Sequence, residues 1–363
     1  MTPPVSLVLP STLMLRGPMP GALGIGLLAP LSGVMGIAGP SILNCAQLAA
    51  EHVAERTGFH AELVPIDAGQ RPAEVARAVR QLLDSRLVQG LVGAHTSDVR
   101  VAVSRVVPQE VPYIFTPPHE TGSGRPGTVF TGSAPQLQLR HPLEWIIRNH
   151  SVRRWALIGG DYVWPRQVHS EARRILRALG QEIVLDRFVG LGSVDPERLV
   201  DEARRSRAEA ILVSLVGRDG ITFHRGAAEY GADRQFVRLC TALDENCLLA
   251  IGGDSTGMLY SAMPSFILQQ DDEHQNFLEG YLRRFGVTAP LPASYAEGCY
   301  DGVLLLAELW MSGLLDSMPP AHAALSLAAA SKRPGPAVVG RSSGGRLARA
   351  EGTELVVIDQ VSM

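Results

Sequence analysis

The chain has 363 residues, 46% of them apolar, with four cysteines and a formal net charge of −3. Its length exceeds one ordinary hydrophobic core, so two domains are the default. The charge leaves no electrostatic footprint for nucleic acid, and no apolar run is long enough to span a bilayer. Cys45, Cys240, Cys247 and Cys299 form neither a C-x-x-C pair nor a zinc-spaced set with histidine, so buried, reduced thiols are expected.

In chain order, the first segment to place is residues 1–22. Val5 to Leu15 is apolar, but no Lys or Arg precedes it and Pro10 interrupts it. A secretory signal has a basic front end and a longer unbroken apolar core. The expectation is a flexible N-terminal extension and a cytoplasmic protein. A periplasmic or cell-surface location is the alternative, if the segment is an unrecognised signal.

Leu23 to Gly33 reads as a strand entering a loop, followed by a helix over Pro40–Arg56. Gly24-x-Gly26 lies inside that strand and no third glycine opens the helix, so a dinucleotide loop is not indicated. Ala61–Ile66 is a second strand. The spacing of Val75, Val79, Leu82 and Leu83 predicts a helix over Pro72–Ser85. Strand Val88–Val92, helix Asp98–Val107 and strand Tyr113–Phe115 follow. After a turn-rich break at Gly122–Gly127 comes strand Val129–Gly132, and at Ser133 the chain crosses into a second unit.

That unit has predicted strands near Ala156, Ile183, Ala210 and Val237, with helices centred near Ile175, Leu199 and Gly226. Met258–Ala262 is read as a strand on the way back to the first domain. Helices Asp271–Arg284 and Ser294–Gly313 follow, then an Ala-rich helix around Ala321–Ala330. The tail, Pro336 to Ile358, reads as turn-linked strands with Gly344-Gly345 at a turn. This alternation predicts an α/β protein of two doubly wound parallel-sheet lobes joined by three hinge crossings. Residues 23–133 with 264–335 are expected in one lobe, and 134–263 with 336–363 in the other.

Three stretches place polar or aromatic loops just after apolar strands, where open α/β sheets bind ligands. They are Trp155 to Arg166, which turns at Gly159-Gly160 and presents Asp161 and Tyr162; Gly93 to Arg100; and Tyr113 to Glu120. Pro165 suits the first turn of the helix that follows Tyr162. No G-x-S-x-G elbow, P-loop, H-E-x-x-H or kinase motif is present, and no metal-ligand spacing occurs. The residues predict a binding protein without enzymatic activity, cofactor or metal.

Several of these segments resemble the type 1 periplasmic-binding-protein superfamily, which includes the Leu/Ile/Val-binding proteins. Leu157-Ile-Gly-Gly-Asp-Tyr-Val-Trp-Pro-Arg166 is similar to a segment of its amide- and urea-binding branch. Leu91–Ser97 and Phe115–Glu120 resemble its ligand loops. Thr131–Gln136 resembles its crossing segment, Gly26–Gly33 its first loop, and Ser294–Asp301 its late helix. The likeness runs from Leu23 to Leu314 and is most specific at D-Y-x-x-P-R.

The branch most similar in this pattern is the AmiC-type cytoplasmic amide sensor. The resemblance implies a type 1 periplasmic-binding fold that takes a small neutral polar ligand (amide, urea or amino acid) and signals by lobe closure. Its partner would be a regulator protein of the antiterminator type. The alternatives are a receptor serving a membrane transporter, and a degenerate member without a small-molecule ligand. Homo-oligomerisation is possible within this family, and direct nucleic-acid binding is not implied. By the same resemblance Ser97 is the main polar contact and Tyr162 approaches from the other lobe. Phe115 and Pro117 form an apolar floor, with Thr96, Thr116, Asp161 and His95 around it. His95, Phe115 and Pro117 stand where the pattern has tyrosine, tyrosine and threonine, which removes three hydroxyls.

Overall fold

The computed structural model describes residues 7–120, 124–330 and 345–359. They form two compact units. Residues 7–33, 38–132 and 275–330 make the first, and residues 34–37, 133–274 and 345–359 the second. The first unit resumes at residue 275, later than the expected 264, and a short excursion at 34–37 belongs to the second. No helix among the described residues is long and apolar enough to cross a membrane.

The first unit opens with α1 (Pro10–Arg16), β1 (Leu23–Ala29), α2 (Gly39–Thr57), β2 (Ala61–Asp67) and α3 (Pro72–Asp84). It continues through β3 (Gly90–Gly93), α4 (Ser97–Ser104), β4 (Tyr113–Phe115) and β5 (Thr128–Phe130). Its five strands are all parallel, in the order β2-β1-β3-β4-β5. Every residue of β1, β3 and β4 is buried, as a parallel strand covered on both faces requires.

The second unit contains α5 (Pro135–His150), β6 (Arg154–Gly160), α6 (Val163–Ala178), β7 (Glu182–Val189) and α7 (Pro196–Arg205). It continues with β8 (Ala210–Ser214), α8 (Gly217–Glu229), β9 (Val237–Cys240), α9 (Glu245–Ile251) and β10 (Leu259–Met263). After α10 (Asp272–Phe285), α11 (Ser294–Met311) and α12 (Pro320–Ala330), the chain adds β11 (Arg346–Glu351) and β12 (Glu354–Asp359). The sheet order is β12-β11-β10-β9-β8-β6-β7, with β11 and β12 antiparallel and the other strands parallel. Leu259–Met263 is a full strand of the second unit, between β9 and β11. The turn expected at Gly344-Gly345 reaches outside the described residues. The observed hairpin turns at Gly352, whose φ of 66° suits glycine.

The N-terminal segment corrects another expectation. Its described part is packed, not loose: Leu7 bridges Leu63 beside β2, and the Val8 amide donates to the Leu63 carbonyl at 2.9 Å. Leu13 of α1 is wholly buried in the core shared with Leu28, Val64 and Val79. Arg16 pairs with Glu62, which also accepts from the Met19 amide at 2.9 Å. The segment therefore covers the edge strand of the sheet. Leu13→Ala removes a buried isobutyl group, and a loss of about 2–5 kcal/mol in urea-unfolding stability is expected. A loose extension would lose nothing.

Candidate functional site

In the first unit, the loop from β3 to α4 carries His95, Thr96 and Ser97. Thr96 is the N-cap, with extended φ −69° and ψ 152°, and Ser97 is the first helical residue. Ser97 is buried and Thr96 half-buried, at the carboxyl end of the sheet. His95 is interior, 1% exposed. The Thr96 carbonyl can only accept, so His95 Nδ1–H donates to it at 3.0 Å. Nε2 is left to accept from the Tyr113 hydroxyl at 2.9 Å. Burial pushes this imidazole down to about 4, so it is neutral at ordinary pH.

The loop after β4 carries Phe115, Thr116 and Pro117. Phe115 is wholly buried and packs edge-on against His95, with centroids 5.3 Å apart, and against Phe130 at 6.0 Å. The Arg100 guanidinium sits 5.7 Å from the Phe115 centroid and 5.4 Å from that of Phe130. Phe115 thus belongs to the core rather than to an open floor. The Thr116 hydroxyl donates to the Gly93 carbonyl at 3.3 Å, and its methyl faces Gly302 of α11. Pro117 is buried, and a Cβ on Gly132 would lie 2.0 Å from its carbonyl oxygen, so only glycine lets the departing chain pass there. The loop ends at Glu120, which accepts from Arg100 at 2.7 Å, both side chains being almost fully buried.

In the second unit, β6 ends at Gly160 and delivers Asp161 and Tyr162. The Asp161 amide donates to the Val189 carbonyl at 2.7 Å, and Tyr162 is the extended N-cap of α6. Asp161 is exposed and receives Nε and Nη2 of Arg166 at 2.9 and 2.5 Å. Tyr162 is 8% exposed, and its ring folds back over Gly160, where a Cβ would come within 3.0 Å. The expected residues therefore fall into two groups by unit. His95, Thr96, Ser97, Phe115, Thr116 and Pro117 gather at the ends of neighbouring strands β3 and β4. Asp161 and Tyr162 stand at the end of β6.

Two constellations escaped the sequence reading because their members are far apart in the chain. In one, Asp186 Oδ1 lies 2.7 Å from His169 Nδ1, and His169 Nε2 lies 2.9 Å from Ser214 Oγ. This Asp–His–Ser line resembles a hydrolase triad. However, His169 and Ser214 are both 0% exposed, so no substrate carbonyl can reach the hydroxyl. In the other, Arg238 donates to His224 Nδ1 at 3.4 Å, and His224 Nε2 lies 3.2 Å from Cys240 Sγ. Burial raises that thiol to about 12, which leaves it unreactive.

Among the described residues, no group of three or more His, Cys, Asp or Glu side chains is placed to hold a metal ion. A cavity of about 370 Å³ opens in the first unit between β5 and the start of α12. On its wall Arg125 donates to the Ser104 carbonyl at 2.8 Å, and the His119 ring stacks on Phe130 with centroids 4.3 Å apart.

The architecture is shared with many solved structures. An ABC transporter substrate-binding protein from Sphaerobacter thermophilus superposes with a TM-score of 0.74 at 22% identity, covering 94% of this chain and 98% of that one. The isoleucine complex of the branched-chain amino acid substrate-binding protein LivJ from Streptococcus pneumoniae gives a TM-score of 0.76 at 17% identity, covering 93% and 99%. A Leu/Ile/Val-binding protein of Rhizobium johnstonii is 23% identical over 241 residues, 64% of this chain; the match spans 65% of that relative's length. The family model described as "Periplasmic binding protein" matches residues 22–316. The chain belongs to the periplasmic-binding-protein family, of the type 1, Leu/Ile/Val-binding-like kind.

Proposed function

We propose that this protein is a non-enzymatic receptor that binds a small organic molecule for an ABC-type uptake system. Membership of a Leu/Ile/Val-binding-like family supports this, since relatives carry the names of substrate-binding proteins and one was solved with isoleucine. The strand-end loops supply hydroxyls, backbone amides and a phenol, which suit recognition rather than bond breaking. Ser97, Thr96 and Pro117 are the proposed contacts from the first unit, and Tyr162 from the second. His95, Phe115 and Thr116 support the loops from inside.

One observation narrows the ligand class. The Asp161 carboxylate is already neutralised by Arg166, so it has little charge to offer an ammonium group. We therefore favour a neutral polar ligand, a short amide or urea, over a free amino acid. A second reading, a cytoplasmic amide sensor acting on a regulator protein, is carried by the resemblance of the D-Y-x-x-P-R stretch alone. Cell fractionation separates the two roles, because an uptake receptor must work outside the cytoplasmic membrane.

The ligand test is calorimetric titration with acetamide, urea, L-leucine, L-isoleucine and 4-hydroxybenzoate. Tyr162→Phe removes one hydroxyl and is expected to weaken binding by about 0.5–1.5 kcal/mol. Tyr162→Ala also removes the ring and costs more. Ser97→Ala retains the backbone N–H and weakens binding without abolishing it. Unchanged affinity in both alanine variants places the ligand elsewhere, and preference for leucine over every amide overturns the neutral-ligand assignment.

A further inference from the structure

We propose that His169 is a positioning residue for the Asp161–Tyr162 turn, holding it from beneath without touching ligand. The proposal deepens, and rests on, the ligand-contact role assigned above to Tyr162. The argument starts from the register of the sheet. Gly159 of β6 pairs with Ser214 of β8, and both point to the face that α6 covers. A Cβ on Gly159 would lie 2.5 Å from Ser214 Oγ and 2.8 Å from His169 Nε2. The His169–Ser214 hydrogen bond therefore presses on the strand backbone three residues before Tyr162.

The opposite side of the turn is reached through Phe188 of β7. The His169 ring stacks on Phe188 with centroids 4.5 Å apart. Arg166 sits 4.6 Å from the same centroid and holds Asp161 through its guanidinium. Asp186, itself ion-paired with Arg173, fixes the imidazole from its other nitrogen. The carboxylate only accepts, so Nδ1 carries a proton toward it and Nε2 faces the serine hydroxyl. One ring thus supports the turn on two sides: through Ser214 onto Gly159, and through Phe188 and Arg166 onto Asp161. Simple core filling does not need this arrangement, since an apolar side chain would fill the same space without aligning three polar groups.

The test uses the full-length protein and two readouts. The first needs no ligand: backbone amide resonances of Gly159, Gly160, Asp161 and Tyr162 in the unliganded protein. Ser214→Ala deletes one hydroxyl and leaves the His169–Asp186 contact. It is expected to shift these four resonances while leaving those of the first unit in place. His169→Ala is expected to shift them further. His169→Gln, whose amide reaches the Nε2 position, is expected to restore them in part. If His169→Ala does not fold, Ser214→Ala and His169→Gln still carry the comparison.

The second readout is affinity for acetamide and L-leucine, expected to fall roughly three- to ten-fold in Ser214→Ala, the scale of one neutral hydrogen bond. Leu13→Ala in the first unit serves as the control for destabilisation alone and should move neither readout. Unshifted turn resonances in Ser214→Ala and His169→Gln overturn the proposal, with or without bound ligand. It is also overturned if Tyr162→Ala abolishes binding while Ser214→Ala leaves it unchanged. Should Tyr162→Ala leave binding intact while the resonances still move in Ser214→Ala, the Tyr162 contact is what has failed, and ligand positioning falls with it.

Discussion

Glu120→Gln is expected to destabilise the protein by about 3–5 kcal/mol, more than any other conservative change at the strand-end loops. Arg100 and Glu120 are 2% and 4% exposed at their side chains and lie 2.7 Å apart. The substitution keeps the shape of the side chain and removes its charge, so the guanidinium stays buried without its carboxylate. Phe115 and Phe130 face that guanidinium at 5.7 and 5.4 Å, but cation–π attraction of about 1–2 kcal/mol replaces only part of the loss. The diagnostic partner is the double variant Arg100→Met with Glu120→Leu, which removes both charges and is expected to recover much of the stability. Urea unfolding of the two proteins separates the cases. Equal losses in both would mean that packing, and not an unmatched charge, sets the cost.

How much of this was readable beforehand depended on whether the information was local. Tyr113–Phe115 is legible to the residue, because a short apolar run between turn residues admits one reading. The strand, turn and helix around Asp161 and Tyr162 were similarly plain. By contrast, α5 carries no plain local signal: Pro142 lies inside it, and the polar residue Gln138 occupies a position on its buried face. Gln138 earns that position by donating to the carbonyls of Thr241 and Ala262 at 2.8 and 2.6 Å, partners more than a hundred residues away. The register in which Leu259–Ser261 pairs with Arg238–Cys240 is likewise long-range, and no local pattern encodes it.

The site divided the same way. Ser97 at a helix start follows from local chemistry, because a strand, a short polar loop and an apolar-periodic segment succeed one another. Whether His95 and Phe115 face outward or inward does not, since Tyr113, Phe130 and Arg100 decide it from other elements. The Asp186–His169–Ser214 line is the extreme case. Its members lie 17 and 45 residues apart, and only the register of β6, β7 and β8 brings them together.

Acidification is expected to lower stability well before the carboxylates protonate, because three imidazoles are held in their neutral form. Burial holds His95 and His119 down to about 4, and burial with the neighbouring Arg238 holds His224 down to about 3. In the unfolded chain all three return to about 6.5. The folded values are depressed, so the stabilisation is fully present above the unfolded value and is lost progressively as pH falls toward the folded ones. Between about pH 6 and 4.5 the unfolded chain binds about three protons that the folded chain refuses. Stability should therefore fall by about 4 kcal/mol per pH unit from these groups together. At His224 the hydrogen bonding adds to the effect of burial: its Nδ1 accepts from Arg238, which cannot accept in return. Urea-unfolding curves at pH 7, 6 and 5 give the slope. His224→Gln keeps a polar side chain that does not titrate, and should remove about a third of it. A flat profile from pH 6.5 to 5 in the wild type would show that these rings take up protons in the folded state.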